Sequence, residues 1–170
     1  MATTYQLIAS STVGAGGAAS IDFTGIPNTY TDLVIFCSAR NTSNGSGLYL
    51  RFNGGNSNYS TRELEGNGAS AYSSSNTAGT SYGFCGSISN SSTTANTFGN
   101  NFIYIPNYAG SNNKSYSADG VGETNGTTVY ADLIAGLWSN TAAITQVTLY
   151  PSLNTFAQYT TAYLYGISNS

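Results

Sequence analysis

The chain has no histidine, one tryptophan, one methionine, two cysteines and three prolines among 170 residues. Charged side chains make up 6% of it, against roughly 25% in an ordinary soluble domain. Each shortage excludes something. Without histidine there is no Ser-His-Asp triad and no histidine-bearing zinc or iron site. The basic residues are Arg40, Arg51, Arg62 and Lys114. They are scattered, whereas a nucleic-acid groove needs a basic stripe to neutralise phosphates, so no direct contact with DNA or RNA is expected. No apolar run approaches the ~20 residues of a membrane-spanning helix, and no membrane association is expected. The opening residues lack a basic stretch followed by an apolar one, so they do not read as a secretory signal. Synthesis in a cytoplasm is the expectation. The composition points away from an enzyme and toward a protein that acts as a surface.

What is abundant is Thr, Ser, Asn, Gly and Tyr, with 14 tyrosines and 20 glycines. β-Branched and aromatic residues fit pleated sheets, and Gly, Asn and Ser fit the turns between them. Hydrophobic residues at 40% are enough to form a core in one domain covering residues 1–170. Ten strands are predicted: Tyr5–Val13, Ala18–Ile26, Asp32–Asn41, Leu48–Asn53, Tyr82–Ile88, Asn101–Tyr108, Ser115–Val121, Thr128–Trp138, Ile144–Tyr150 and Ala162–Ile167. Ser60–Glu65 reads as one helical turn and Asn67–Gly79 as a long exposed loop. Strands without helical crossovers predict an all-β, antiparallel two-sheet sandwich. A jelly roll is its expected form and a closed up-and-down barrel the alternative.

Alternation assigns faces. Asp32–Asn41 is apolar on both faces near its middle, so a central strand covered on both sides is expected. In Thr128–Trp138, Val129, Ala131, Leu133, Ala135 and Leu137 share one face. Tyr130, Asp132, Ile134 and Trp138 share the other, a half-polar face suited to solvent or a partner. Cys37 and Cys85 read as buried core thiols, with pairing left open.

No catalytic residue, metal site or cofactor is predicted. Glu63 and Glu65 read as solvated charges, although paired carboxylates can serve a glycosidase. Asp119 and Glu123 flank Gly120-Val-Gly122, but offer too few oxygens for an EF-hand-like calcium loop. Aromatics give the one binding signal. Trp138, Tyr108, Tyr59 and Tyr72 fall at loop or strand-end positions where rings could stack on a sugar. Arg51 and Asn53 could supply hydrogen bonds beside them. Packing in the core or at a subunit interface is the weightier reading of those rings. Sequons at Asn41, Asn58, Asn90 and Asn125 are expected to stay unmodified.

Several stretches carry a resemblance. They begin with Met1-Ala-Thr-Thr-Tyr-Gln-Leu-Ile-Ala-Ser10, Ile26-Pro-Asn-Thr-Tyr-Thr-Asp-Leu-Val34, Ser38-Ala-Arg-Asn41, Leu50-Arg-Phe-Asn-Gly54 and Asn58-Tyr-Ser60. They continue with Ile103-Tyr-Ile-Pro-Asn-Tyr-Ala-Gly-Ser-Asn-Asn-Lys114, Gly136-Leu-Trp-Ser-Asn-Thr-Ala-Ala-Ile-Thr145, Leu149-Tyr-Pro151 and Tyr163-Leu-Tyr-Gly-Ile167. Together they resemble small virion structural proteins of tailed bacteriophages, especially those of aquatic bacteria such as cyanophages. The resemblance implies a capsid decoration, or cement, protein on the outer head surface. Its partner would be the major capsid protein, and its state a homodimer or homotrimer. A tail-fibre or tail-tip receptor-binding protein recognising host glycans is the alternative, and a depolymerase or glycosidase the weakest reading. Residues Met1–Val13 are a candidate arm toward a neighbour.

Overall fold

The computed structural model describes residues 4–126 and 129–168, the side chains of 76–79 excepted. These residues form no helix and twelve strands. The first six are β1 (Tyr5–Thr12), β2 (Ile21–Thr24), β3 (Asp32–Ala39), β4 (Gly47–Phe52), β5 (Tyr59–Gly66) and β6 (Ala71–Thr80). The rest are β7 (Gly83–Ser87), β8 (Gly99–Ile105), β9 (Lys114–Gly122), β10 (Tyr130–Trp138), β11 (Gln146–Pro151) and β12 (Thr161–Ile167). They make an eight-stranded sheet, β1-β12-β3-β8-β9-β10-β5-β6, and a four-stranded sheet, β2-β11-β4-β7. Every pairing between these strands is antiparallel. The fold is an all-β two-sheet sandwich, as its composition indicates.

Period-two alternation builds the core. From the large sheet, Leu33, Ile35 and Cys37 of β3, Ile103 and Ile105 of β8, and Ile134 of β10 are buried. From the small sheet, Ile21, Phe23, Leu48, Leu50, Phe52, Val147 and Leu149 are buried in the same cluster. Each such side chain contributes about 1.5–3 kcal/mol by leaving water. One end of the core is aromatic: the Phe52 and Trp138 rings lie 5.7 Å apart, and Tyr59 stacks on Trp138 at 6.1 Å. The Tyr59 hydroxyl accepts the Phe52 amide at 2.7 Å, so its one polar atom is satisfied inside.

At β7 the two sheets come close enough for backbone to touch backbone. A side chain on Gly120 would sit 3.0 Å from the Gly86 Cα and 3.1 Å from the Ser87 nitrogen. Gly86 itself has φ +106°, which a larger residue resists. Asn101 of β8 locks this approach, its amide donating to the carbonyls of Cys85 at 3.0 Å and Ser87 at 3.3 Å. Cys37 and Cys85 are buried free thiols, and burial pushes Cys37 up to about 12.

Several predicted features differ. Ser60–Glu65 is no helical turn but the body of β5, and Asn67–Gly79 is mostly β6 rather than a loop. The inward positions of β5 run Tyr59, Thr61, Glu63, Glu65, so its alternation loses contrast halfway. β6 is an edge strand with Ala71–Ser75 exposed on both faces, so it shows no apolar side. The strand expected from Thr128 begins at Tyr130, and Thr128 lies outside the described residues. Its faces are the reverse of those predicted: Asp132, Ile134 and Trp138 point into the sandwich, while Ala131, Leu133 and Ala135 are exposed. β3 is central, between β12 and β8, and its outer face is covered only in part: Val34 is fully buried there, whereas Phe36 is 44% exposed. The candidate arm pairs within its own chain, β1 running along β12, and Met1–Thr3 lie outside the described residues.

Candidate functional site

Two features stand out from a well-packed sandwich, one on each face of the large sheet. The first is the outer face. Register places one residue from every strand in a single row: Ser10, Tyr163, Phe36, Phe102, Asp119, Leu133, Leu64, Ser73. Beside it runs a second row, Leu7, Tyr165, Val34, Tyr104, Ser117, Ala135, Arg62, Ser75. The rings support one another, with Phe36 5.3 Å from Phe102 and 5.8 Å from Tyr165. Of the ten large hydrophobic side chains exposed among the described residues, seven lie on this face: Tyr5, Leu7, Phe36, Leu64, Val121, Leu133 and Tyr163. The two rows carry only Asp119 and Arg62 as charges. Leu133 is 59% and Leu64 54% exposed, and they are direct cross-strand partners.

The second feature is a carboxylate trio on the inner face. Glu63 and Glu65 are two residues apart on β5, hence on one face. Asp132 of β10 pairs directly with Glu65. One carboxyl oxygen from each of the three lies within 4.8 Å of the other two. Asp132 is 4% exposed, and its Oδ2 accepts the Ser87 amide at 2.5 Å. Its Oδ1 is buried without a hydrogen-bond partner. The Ser74 hydroxyl donates to Glu63 Oε2 at 2.8 Å. Burial raises the pKa of Asp132, partly offset by the Ser87 hydroxyl and then by the Ser87 amide. Burial raises Glu63, offset by Ser74, with Asp132 adding repulsion. It raises Glu65 too, with repulsion from Asp132 and then Glu63. No basic side chain contributes to any of the three shifts.

The residues singled out as sugar contacts do not converge. Trp138, Tyr59 and Tyr108 are 3%, 0% and 0% exposed, so none presents a ring face to a ligand. Trp138 and Tyr59 belong to the aromatic end of the core. Tyr108 follows β8 in a turn and donates its hydroxyl to the Pro27 carbonyl. Arg51 lies on the outer face of the small sheet, its Nε donating to Ser81 at 3.0 Å and its guanidinium 4.9 Å from the Tyr150 ring centre. Asn53, at φ 52°, latches the distant segment that leads into β11: its Oδ1 accepts the amides of Thr145 and Gln146, and its Nδ2 donates to the Ala143 carbonyl. Tyr72 alone of the rings is exposed, on β6 opposite Glu65. Asp119 and Glu123 stand apart, because β9 is extended and puts four residues about 13 Å apart. The sequence reading passed over the trio, since the pairing of β5 with β10 joins residues far apart in the chain.

Lys114 was also not anticipated. It is 1% exposed, and its ammonium donates to the carbonyls of Gly110 at 2.7 Å, Asn112 at 2.5 Å and Thr141 at 3.3 Å. Burial lowers its pKa. It closes the loops at one end of the sandwich rather than offering a charge to a ligand. No protein-family model matches the chain, and no curated protein matches its sequence.

Two outcomes follow. Trp138→Ala removes a core ring and lowers stability by about 3–5 kcal/mol in urea unfolding; a loss under 1 kcal/mol contradicts its place in the core. For the trio, folded pKa values raised above the unfolded ones mean the native state binds more protons. The part of stability set by the trio therefore grows as pH falls through the raised values and levels off near the unfolded values of about 4. In chelator-containing buffer, Tm rises as pH drops from 7 to about 5, and E63Q/E65Q flattens that slope.

Proposed function

We propose that the chain is a non-enzymatic structural protein of a tailed-phage particle, a decoration protein that docks on the outer head surface and stabilises the capsid lattice. The observation that carries this reading is the outer face of the eight-stranded sheet. Contiguous exposed apolar surface on a soluble protein marks an interaction site. Here it is aromatic and nearly uncharged, so docking removes apolar area from water at about 25 cal/mol per Å² with few charges to desolvate. Eight strands at ~4.8 Å spacing span roughly 34 Å, enough to lie across a seam between neighbouring capsid subunits. Binding only the assembled lattice stabilises that state by linkage. The sequence stretches that resemble virion proteins support the same place, on the capsid surface of a particle assembled in the host cytoplasm. The partner is the major capsid protein, and the docking unit a homodimer or homotrimer.

We read the strand order as a jelly roll with two inserted hairpins. Without β5–β6 and β9–β10 the sheets reduce to β1-β12-β3-β8 and β2-β11-β4-β7, the pairing of two interlocked Greek keys. Both insertions widen the same sheet, and with it the proposed docking face.

A polar cleft of about 490 Å³ lined by Ser46, Ser87, Asn90, Thr93, Thr124 and Tyr130 favours a second reading, a tail receptor-binding protein for host glycans. The carboxylate trio does not favour a glycosidase. Such enzymes present two carboxyls to a bound sugar, whereas Asp132 is 4% exposed and held against β7 by the Ser87 amide.

Co-sedimentation with purified heads lacking the protein separates the readings. F36S/L133S alters two exposed outer-face residues and changes stability by about 1 kcal/mol or less. Wild type pellets with heads and the variant binds at least tenfold more weakly. Equal binding by the variant, or adsorption of wild type to host cells but not to heads, overturns the proposal.

A further inference from the structure

We propose that Glu63, Glu65 and Asp132 form a calcium-binding site that clamps β5 to β10. The geometry suits the ion. Calcium takes carboxylate oxygens at 2.3–2.6 Å, so two oxygens on one ion stand at most about 4.6–5.2 Å apart. The trio's oxygens all fall within 4.8 Å of one another. Hard oxygen donors with no sulfur or imidazole suit calcium, magnesium or manganese rather than zinc or copper, and of these calcium's variable coordination best tolerates a site on a pleated sheet.

Asp132 supplies the independent indication. It is 4% exposed and carries a buried oxygen with no partner. Its other oxygen is held on β7 by the Ser87 amide, and a carboxyl oxygen of Asp132 lies within 4.8 Å of one from each glutamate. A buried carboxylate is ordinarily paired or bound to a metal. No basic side chain stands against these three. Arg62, the nearest cation in sequence, points to the opposite face and donates to the Thr61 carbonyl. A divalent cation would offset three like charges at once. Glu63 and Glu65 are half-exposed, so the ion has a path from solvent. Waters, and the Ser74 hydroxyl beside Glu63, would complete its shell.

The consequence is mechanical. β5 belongs to one inserted hairpin and β10 to the other, while Asp132 is also tied to β7 of the small sheet. One ion would join all three and stiffen the half of the large sheet farthest from β1.

The test uses the full chain after chelation, with calcium and then terbium as probes. Calcium at about a hundred times Kd raises the wild-type Tm by about 5 °C, and terbium emission excited through tyrosine appears and is competed away by calcium. In E63Q/E65Q the calcium-free Tm equals or exceeds that of wild type, while the calcium response and the terbium signal are lost. If that variant fails to fold, E65Q alone weakens calcium at least tenfold. No wild-type response at about 10 mM calcium, or an undiminished response in the variants, overturns the site.

Discussion

The close approach of β7 to the floor of the large sheet governs this structure. Gly86 and Gly120 let two backbones meet where side chains would hold them apart. Asn101 fixes the contact from β8 and Asp132 from β10, each through a hydrogen bond to β7. The core strands, the inward aim of Asp132 and the burial of its unpartnered oxygen all follow from that contact. Polar residues stand here because the β7 backbone brought against the large sheet presents carbonyls and an amide that need partners. The cost is a carboxylate out of water, with Glu63 and Glu65 beside it.

The second determinant is unequal width. Four strands cannot cover eight, so β5 and β6 reach past the small sheet and their inner positions turn polar. The large sheet also keeps an apolar outer face with no layer over it among the described residues. An isolated chain gains nothing from Leu133 and Leu64 in water, and a docked one gains their burial. Sparse charge is consistent with that role: hydroxyls and amides keep the rest of the surface soluble without long-range repulsion from a partner.

Much of the fold was legible. Leu48, Leu50 and Phe52 alternate cleanly with Tyr49 and Arg51, and Pro106 stands just past the end of β8 where a strand should stop. The all-β class follows from composition. β5 and β6 were illegible because their contrast depends on how far the opposite sheet extends. The faces of β10 came out reversed because its inner face carries the buried Asp132 and reads as half polar, while Ala131, Leu133 and Ala135 on the exposed face read as core. Its register is chosen by the glycine contact at Gly120 and by the fit of Trp138 beside Phe52, neither of which alternation encodes. Core packing, the weightier reading of Trp138, Tyr59 and Tyr108, is what the structure shows, and Tyr59 and Trp138 begin and end strands that turn them inward. The carboxylate trio required knowing that β5 lies beside β10.

The most direct test of the central claim is the copy number of this chain in purified particles, by quantitative mass spectrometry. A surface built to cover a lattice predicts hundreds of copies in fixed ratio to the major capsid protein. A handful of copies, in a small multiple of three or six, would contradict it and move the chain to the tail.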